Sequence, residues 1–250
     1  MTATVAHLLR HPIKAVGREE VAETHFAAGS TMPGDRLWAI AHERATEDAV
    51  SGAWARCLHF IRGASSPQLM AVSAALSEDG TRVTLTHPGR PEITVDPEAD
   101  AQKLLDWVTP LVDPDRPTPQ AVVRATTRGF TDSSDAGITI CNMATHRAVQ
   151  ERVGTPLSIH RWRGNLWLDG LAPWEEFDLV GKRLRVGDAV FEITERTERC
   201  RATEANPETG KRDADTLKAL RSWGHQDSSV QAMCIAPGRV ARGDHAERAA

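Results

Sequence analysis

A chain of 250 residues, 40% hydrophobic and 26% charged, can bury a full core as one large domain or two closely packed halves. Its formal net charge of -4 argues against a general nucleic-acid binder, because counterion release needs a basic surface. The N-terminus has no signal-peptide pattern and no stretch is long enough to cross a bilayer, so a cytoplasmic protein without a membrane partner is expected.

Residues 4–10 read as a strand that stops at His11-Pro12, since proline cannot continue a ladder and restricts the residue before it. A tight loop over 13–18 and a second strand over 21–26 follow, then the Pro33-Gly34 turn feeding a strand at 37–40. These strand ends deliver Lys14 and Arg36. Either alone is an ordinary solvated charge; together beside a cleft they suit an anionic ligand. Residues 54–60 have no clean period and read as loop or short helix.

Strands over 69–74 and 81–86 flank an Asp79-Gly80 turn, and 93–95 adds another. Leu104, Leu105, Val108 and Leu111 then switch to helical spacing, checked near Pro110. The proline-rich run 113–119 is the clearest linker and divides the chain into regions 1–115 and 119–250.

In the second region a strand at 121–123 precedes the hydroxyl- and Asx-rich loop 130–137, which either closes turns or cradles an anion. After a short strand at 138–140, Asn142 caps a helix running through Val153, with Gly154 at its C′ position. Strands at 157–161 and 165–168 cluster Arg161, Arg163 and Asn165 around Gly164. Segments 182–186 and 190–193 form a hairpin across Gly187-Asp188. A helix through Leu217, Leu220 and Trp223 stops at Gly224, and strands near 231–235 and 238–240 close the chain. Many short strands and about three helices predict a mainly β or α+β fold, a β-barrel rather than βαβ winding.

The residue the chain is organised around is Cys200, just past a strand end, between Arg199 and Arg201. Positive neighbours favour the thiolate, the form that attacks electrophiles or binds soft metals. A buried core thiol is the plain alternative. The four cysteines show no CxxC pair and read as free thiols, without a structural zinc site. GxGxxG, Walker A, GxSxG and HExxH patterns are missing from the sequence. Glu175-Glu176 reads as a solvated face, and His146 and Arg147 as helix surface.

In order along the chain these pieces resemble the MOSC domain family, named for the C-terminal domain of molybdenum cofactor sulfurase. The first region is similar to its usual companion, the MOSC N-terminal β-barrel region. The nearest pattern is that of the amidoxime-reducing N-hydroxylate reductases. His11-Pro12-Ile13-Lys14 resembles Y-P-V-K-S, Gly34-Asp35-Arg36-Leu37-Trp38 resembles D-R-x-W, Asp132-Ser133-Ser134 resembles D-x-S, and Arg163-Gly164-Asn165 resembles R-P-N. Arg199-Cys200 with Thr203, Pro207, Thr209 and Gly210 is similar to R-C-x-x-T-x-x-D-P-x-T-G, and Gly243-Asp244 to a closing V-G-D. Ala15, Gly164 and Asn206 depart from the family's serine, proline and aspartate.

The resemblance implies a MOSC-type β-barrel with a few peripheral helices and an associated N-terminal β-rich region, its first strands packing into the main barrel. It implies that Cys200 binds the metal of the molybdenum cofactor (Mo-molybdopterin), where a soft thiolate suits a metal already held by sulfur. Lys14, Arg36, Arg163 and Arg199 would contact the cofactor as cations, and Ser133, Ser134 and Asn165 as hydrogen-bonding groups. The family is also associated with pyridoxal phosphate binding. The expected activity is reduction of a small N-hydroxylated or N-oxide compound. A ferredoxin-like extension, seen in some relatives, is missing here, so electrons would come from a separate donor protein. Two rivals stand beside this reading: a carrier holding sulfur or cofactor on Cys200, and a scaffold in which Cys200 is a core thiol.

Overall fold

The computed structural model describes residues 2–249. From the N-terminus, β1 (Ala3–Arg10), β2 (Glu19–Val21), β3 (Glu23–Phe26) and β4 (Trp38–His42) precede a three-stranded sheet of β5 (Ser73–Leu76), β6 (Val83–His87) and β7 (Arg90–Val95). Helix α1 (Ala101–Val108) and β8 (Pro119–Arg124) follow. The rest runs β9 (Ile138–Asn142), α2 (Met143–Val153), β10 (Leu166–Asp169), β11 (Arg183–Val186), β12 (Ala189–Glu198), α3 (Thr216–Arg221), β13 (Asp227–Ala236), β14 (Gly238–Ala241) and β15 (His245–Ala249).

Seven strands close a barrel in the order β1-β10-β9-β13-β12-β11-β15, and β15 returns to β1. Closure leaves these ladders without a free edge. The inward faces follow the two-residue period: Ala189, Phe191 and Ile193 of β12 are fully buried while Glu192 and Thr194 point outward. Phe191 meets Phe26 edge to face at 5.0 Å in the barrel core. Burial of each such side chain stabilises the fold by about 1.5–3 kcal/mol.

The fold is mainly β, but the winding holds one departure from expectation. β9 and β10 are parallel, and α2 makes the crossover between them. Asn142 caps α2 by accepting from the Ala144 amide, and Gly154 ends it at φ 82, as its sequence position predicts.

Strand pairings cross the linker. β1 belongs to the barrel, β3 pairs with β14, and β4 pairs with β8. A second core of Trp38, Ile40, Leu69, Leu85, Leu104 and Val108 lies under α1 and the β5-β6-β7 sheet. Among the described residues, no helix is long and apolar enough to cross a membrane.

Three predicted strands take other forms. The strand expected over 21–26 breaks because its halves have different partners, β2 lying on β1 and β3 on β14. The one over 69–74 begins as a 3-10 turn, Pro67–Ala71, nucleated by its proline, before β5. Residues 157–161 enter the 3-10 turn Ile159–Trp162, where the Ser158 hydroxyl accepts from the His160 amide.

Candidate functional site

A cavity of about 290 Å³ opens where the mouth of the barrel meets the N-terminal region. β12 ends at Glu198, and Cys200 follows in extended backbone before the 3-10 turn Arg201–Glu204. Thr203 fixes that turn by donating its amide (3.2 Å) and hydroxyl (3.1 Å) to the Cys200 carbonyl. Cys200 is exposed and lines the cavity, so it is not a core thiol; Cys141 and Cys234 are buried.

Of the two cations flanking it in sequence, Arg199 stands beside it on the cavity wall and Arg201 does not. Arg201 bonds Glu204 at 3.1 Å and does not reach the cavity wall. Arg199 does line the cavity, 8% exposed, and is held from behind by the Ser228 carbonyl (2.8 Å) and the Trp162 carbonyl (3.1 Å).

Lys14, Arg36 and Arg163 converge on the same cavity from three separate loops. Arg36 Nη2 donates to the Arg163 carbonyl at 3.1 Å, and Arg163 Nη1 donates to the Gly17 carbonyl at 3.1 Å. Arg163 Nη2 is buried with no hydrogen-bond partner, and burial followed by the charge of Arg36 brings this guanidinium down to about 9. Asp35 lies behind them, 1% exposed, accepting from Arg36 and from the His11 amide (2.7 Å). Arg36, with His11, outweighs the burial that would raise its pKa and holds Asp35 well below the usual carboxylate range.

Lys14 differs from the two arginines. Its buried ammonium donates to the Phe130 carbonyl at 2.8 Å and is ion-paired with Asp132, so its charge is largely answered within the protein. Asn165 is fully buried beside the cavity, but its side chain is engaged: Oδ1 accepts from the Thr139 amide (3.1 Å) and Nδ2 donates to the Leu9 carbonyl (3.2 Å). Ser133 and Ser134 do not line the cavity. Their carbonyls accept from Arg128, which folds the loop around its own guanidinium.

Cys57, Arg62 and Met70, missed as site residues in the sequence, are on the wall, as is Arg161, which the sequence grouped with Arg163 and Asn165 without giving it a role. Arg161 is 2% exposed and donates to the Glu204 carbonyl (3.1 Å) and Asp213 (2.5 Å), bracing the turn after Cys200. Its pairing with Gly164 in sequence was the available signal. Two surface assignments also fail. Glu176 is fully buried, accepting from Asn142 (2.8 Å) and Thr145 (2.9 Å), and His146 is buried against Trp162 and Trp167.

The loop after Cys200 fastens the N-terminal region over the cavity. Glu208 takes Arg18 at 3.1 Å, Arg212 donates to the Ala64 carbonyl at 2.7 Å, and Gln68 donates to the Gly210 carbonyl at 3.2 Å. Gly210, at φ 66, permits this approach, since a Cβ there would lie 2.7 Å from Gln68 Oε1. Asn206 donates to Asp213 at 2.6 Å, a contact an aspartate in its place would turn into a repulsion.

The exposed Cys200 thiol, the partly exposed Cys57 and a wall of arginines, two of which keep a buried N–H without a partner (Arg163 Nη2 and Arg161 Nε), define a barrel protein whose cavity has the chemistry to suit an anionic ligand that carries a soft metal. Among the described residues no group of three or more His, Cys, Asp or Glu could hold a metal. A metal at Cys200 must therefore bring other ligands with it, and the donor set fits a sulfur-ligated metal with a phosphate tail.

Residues 127–247 match the MOSC domain and residues 2–111 the MOSC N-terminal beta barrel domain, and the protein belongs to this family, which is linked to molybdenum-cofactor proteins. The chain is 30% identical over 87 residues to molybdenum cofactor sulfurase of Drosophila mojavensis, which is 35% of this chain and 11% of the length of that protein. Among solved structures, YUAD protein from Bacillus subtilis is 12% identical, covering 98% of this chain and 94% of its own, with a TM-score of 0.44. YiiM from Geobacillus stearothermophilus is 18% identical over 45% of this chain and 54% of its own, with a TM-score of 0.37.

Proposed function

We propose that the protein binds the molybdenum cofactor through Cys200 and reduces small N-hydroxylated or N-oxide compounds with electrons from a separate donor protein. One observation carries the reading: the exposed Cys200 thiol shares its cavity with the partnerless Arg163 Nη2. A buried guanidinium N–H calls for an acceptor, and a phosphate oxygen is the acceptor it matches best. When bound, the cofactor supplies two-electron, oxygen-atom chemistry.

The chain's own residues supply the rest. Cys200 gives a soft ligand on a turn locked by Thr203. Arg36 and Arg163 hold the anionic tail, already oriented by Asp35 and the Gly17 carbonyl. Lys14 contributes less charge because Asp132 shares it. Gly63, Ala64 and Met70 form an apolar side of the cavity that limits water near the thiol. The reading puts the protein in the cytoplasm, where its free thiols stay reduced.

Exposure of Cys200 also suits a carrier that holds sulfur as a persulfide. Elemental analysis of protein from a host that makes the cofactor separates the two. About one molybdenum per chain is expected, with hydroxylamine or amidoxime reduction by an artificial donor, and Cys200→Ala should lose metal and activity together. Metal retained in full by that variant ends the assignment. Absence of molybdenum with cyanide-labile sulfur that vanishes in the variant identifies the carrier.

A further inference from the structure

Five non-glycine residues among those described have positive φ, and four of them gather at this site. Ala15 (φ 63), Arg36 (φ 53) and Arg163 (φ 50) line the cavity, and Ser229 (φ 76) bonds Arg199. Left-handed backbone is unfavourable for such residues and persists only where surrounding structure enforces it. Ser229 has no place in the function proposed above.

The register explains its conformation. Arg196 pairs with Val230 and Glu198 with Asp227, so Thr197 alone faces both Ser228 and Ser229. That extra residue makes a β-bulge, a device that re-aims side chains beside functional sites. Both bulge residues turn onto one guanidinium. The Ser228 carbonyl accepts from Arg199 Nε at 2.8 Å, and the Ser229 hydroxyl accepts from Nη2 at 2.5 Å. Cys141 Sγ lies 3.9 Å from the same Nη2, and the Trp162 carbonyl takes Nη1 at 3.1 Å. None of these four partners is a carboxylate, so they orient the cation without neutralising it.

We infer that the Ser228–Ser229 bulge is a positioning device for Arg199, holding its charge on the cavity wall beside Cys200, and that oxyanion binding in the cavity depends on the Ser229 hydroxyl. The inference deepens the cofactor reading, since it concerns the same cavity, but its test needs no molybdenum.

Ser229→Gly removes the hydroxyl and relieves the backbone, whereas Ser229→Ala removes the hydroxyl alone. In the full-length chain produced without cofactor, the glycine variant should keep or raise its thermal midpoint. Its affinity for inorganic phosphate should fall by about tenfold, the worth of one hydrogen bond to a charged group. Exchange with water of the Arg199 Nη2 protons, which the Ser229 hydroxyl accepts, followed by NMR, should speed up by a similar factor. The alanine variant should show the same two losses without the gain in midpoint. In an Arg199→Met background, Ser229→Gly should weaken phosphate no further.

Unchanged phosphate affinity and unchanged Arg199 exchange in a folded Ser229→Gly protein overturn the inference. If the glycine variant does not fold, the alanine variant decides by the same readings. If phosphate binds the unaltered protein too weakly to measure, the exchange rate alone decides.

Discussion

Lowering the pH from 6.5 toward 4 is expected to strip stability from this protein at about 3–4 kcal/mol per pH unit. Three histidines set most of that slope, and His87, also lowered by burial, adds in the same sense. His11 is brought down to about 3 by burial and then by Arg163, His146 to about 4 by burial, and His160 to about 4 by burial and then by Arg18. Each stays largely neutral in the folded chain until the pH nears its lowered value, while its unfolded counterpart takes up a proton below pH 6.5. The unfolded state therefore binds more protons throughout this window, and stability rises with pH across it. Each such proton contributes about 1.4 kcal/mol per pH unit.

Glu176 acts in the opposite sense. Burial raises its pKa above the usual value, so in its own window the folded state binds the extra proton and the slope is reduced. Asp35, held low by Arg36 and His11 against its burial, adds a further loss only below the ordinary carboxylate range. Urea unfolding at a series of pH values measures the slope. His146→Gln offers a test of attribution, because a glutamine oxygen can still accept from Trp162 Nε1, which His146 Nδ1 takes at 2.9 Å. That variant should flatten the curve by about a third. A slope near zero between pH 6.5 and 4.5 would show that these rings titrate normally.

What the sequence made legible follows from the range of the interactions involved. Cys200 was readable because its surroundings are local: a strand end, a turn locked three residues on by Thr203, and a glycine at 210. The barrel was readable from two-residue alternation and from turns such as Gly187-Asp188, which need no distant partner. Glu176 was not readable, because the Asn142 and Thr145 donors that bury it lie 34 and 31 residues away. Arg161 stood out beside Gly164, but its bracing role was hidden for the same reason, its carboxylate partner standing 52 residues along the chain. Arg201 shows the converse error. Adjacency to Cys200 suggested a charge on the thiol, yet a carboxylate one helical turn away takes it. Ser133 and Ser134 matched a family pattern letter by letter, but the reach of Arg128 decides which way their loop turns.

Gly164 stands where the resembled pattern has proline, and a pair of substitutions tests whether Cys141 is what keeps this position small. A Cβ at Gly164 would fall well inside contact with Cys141 Sγ, whereas the Cys141 Cβ stands an ordinary 3.6 Å off. That sulfur is 3% exposed, its thiol pushed up to about 11 by burial, so it acts as a neutral space-filling group against Arg199. Gly164→Ala alone should therefore cost about 1–3 kcal/mol by overpacking and should disturb Arg199 through the displaced sulfur. Cys141→Ala alone leaves a small cavity and costs about 1 kcal/mol. Combined, the new methyl enters the space the sulfur vacates, and the double variant should be more stable than the sum of the singles predicts by at least about 1 kcal/mol. Urea unfolding of the four proteins measures that coupling. Strict additivity would mean that Gly164 is small for a reason other than Cys141, and the link from Gly164 through the sulfur to Arg199 would be broken.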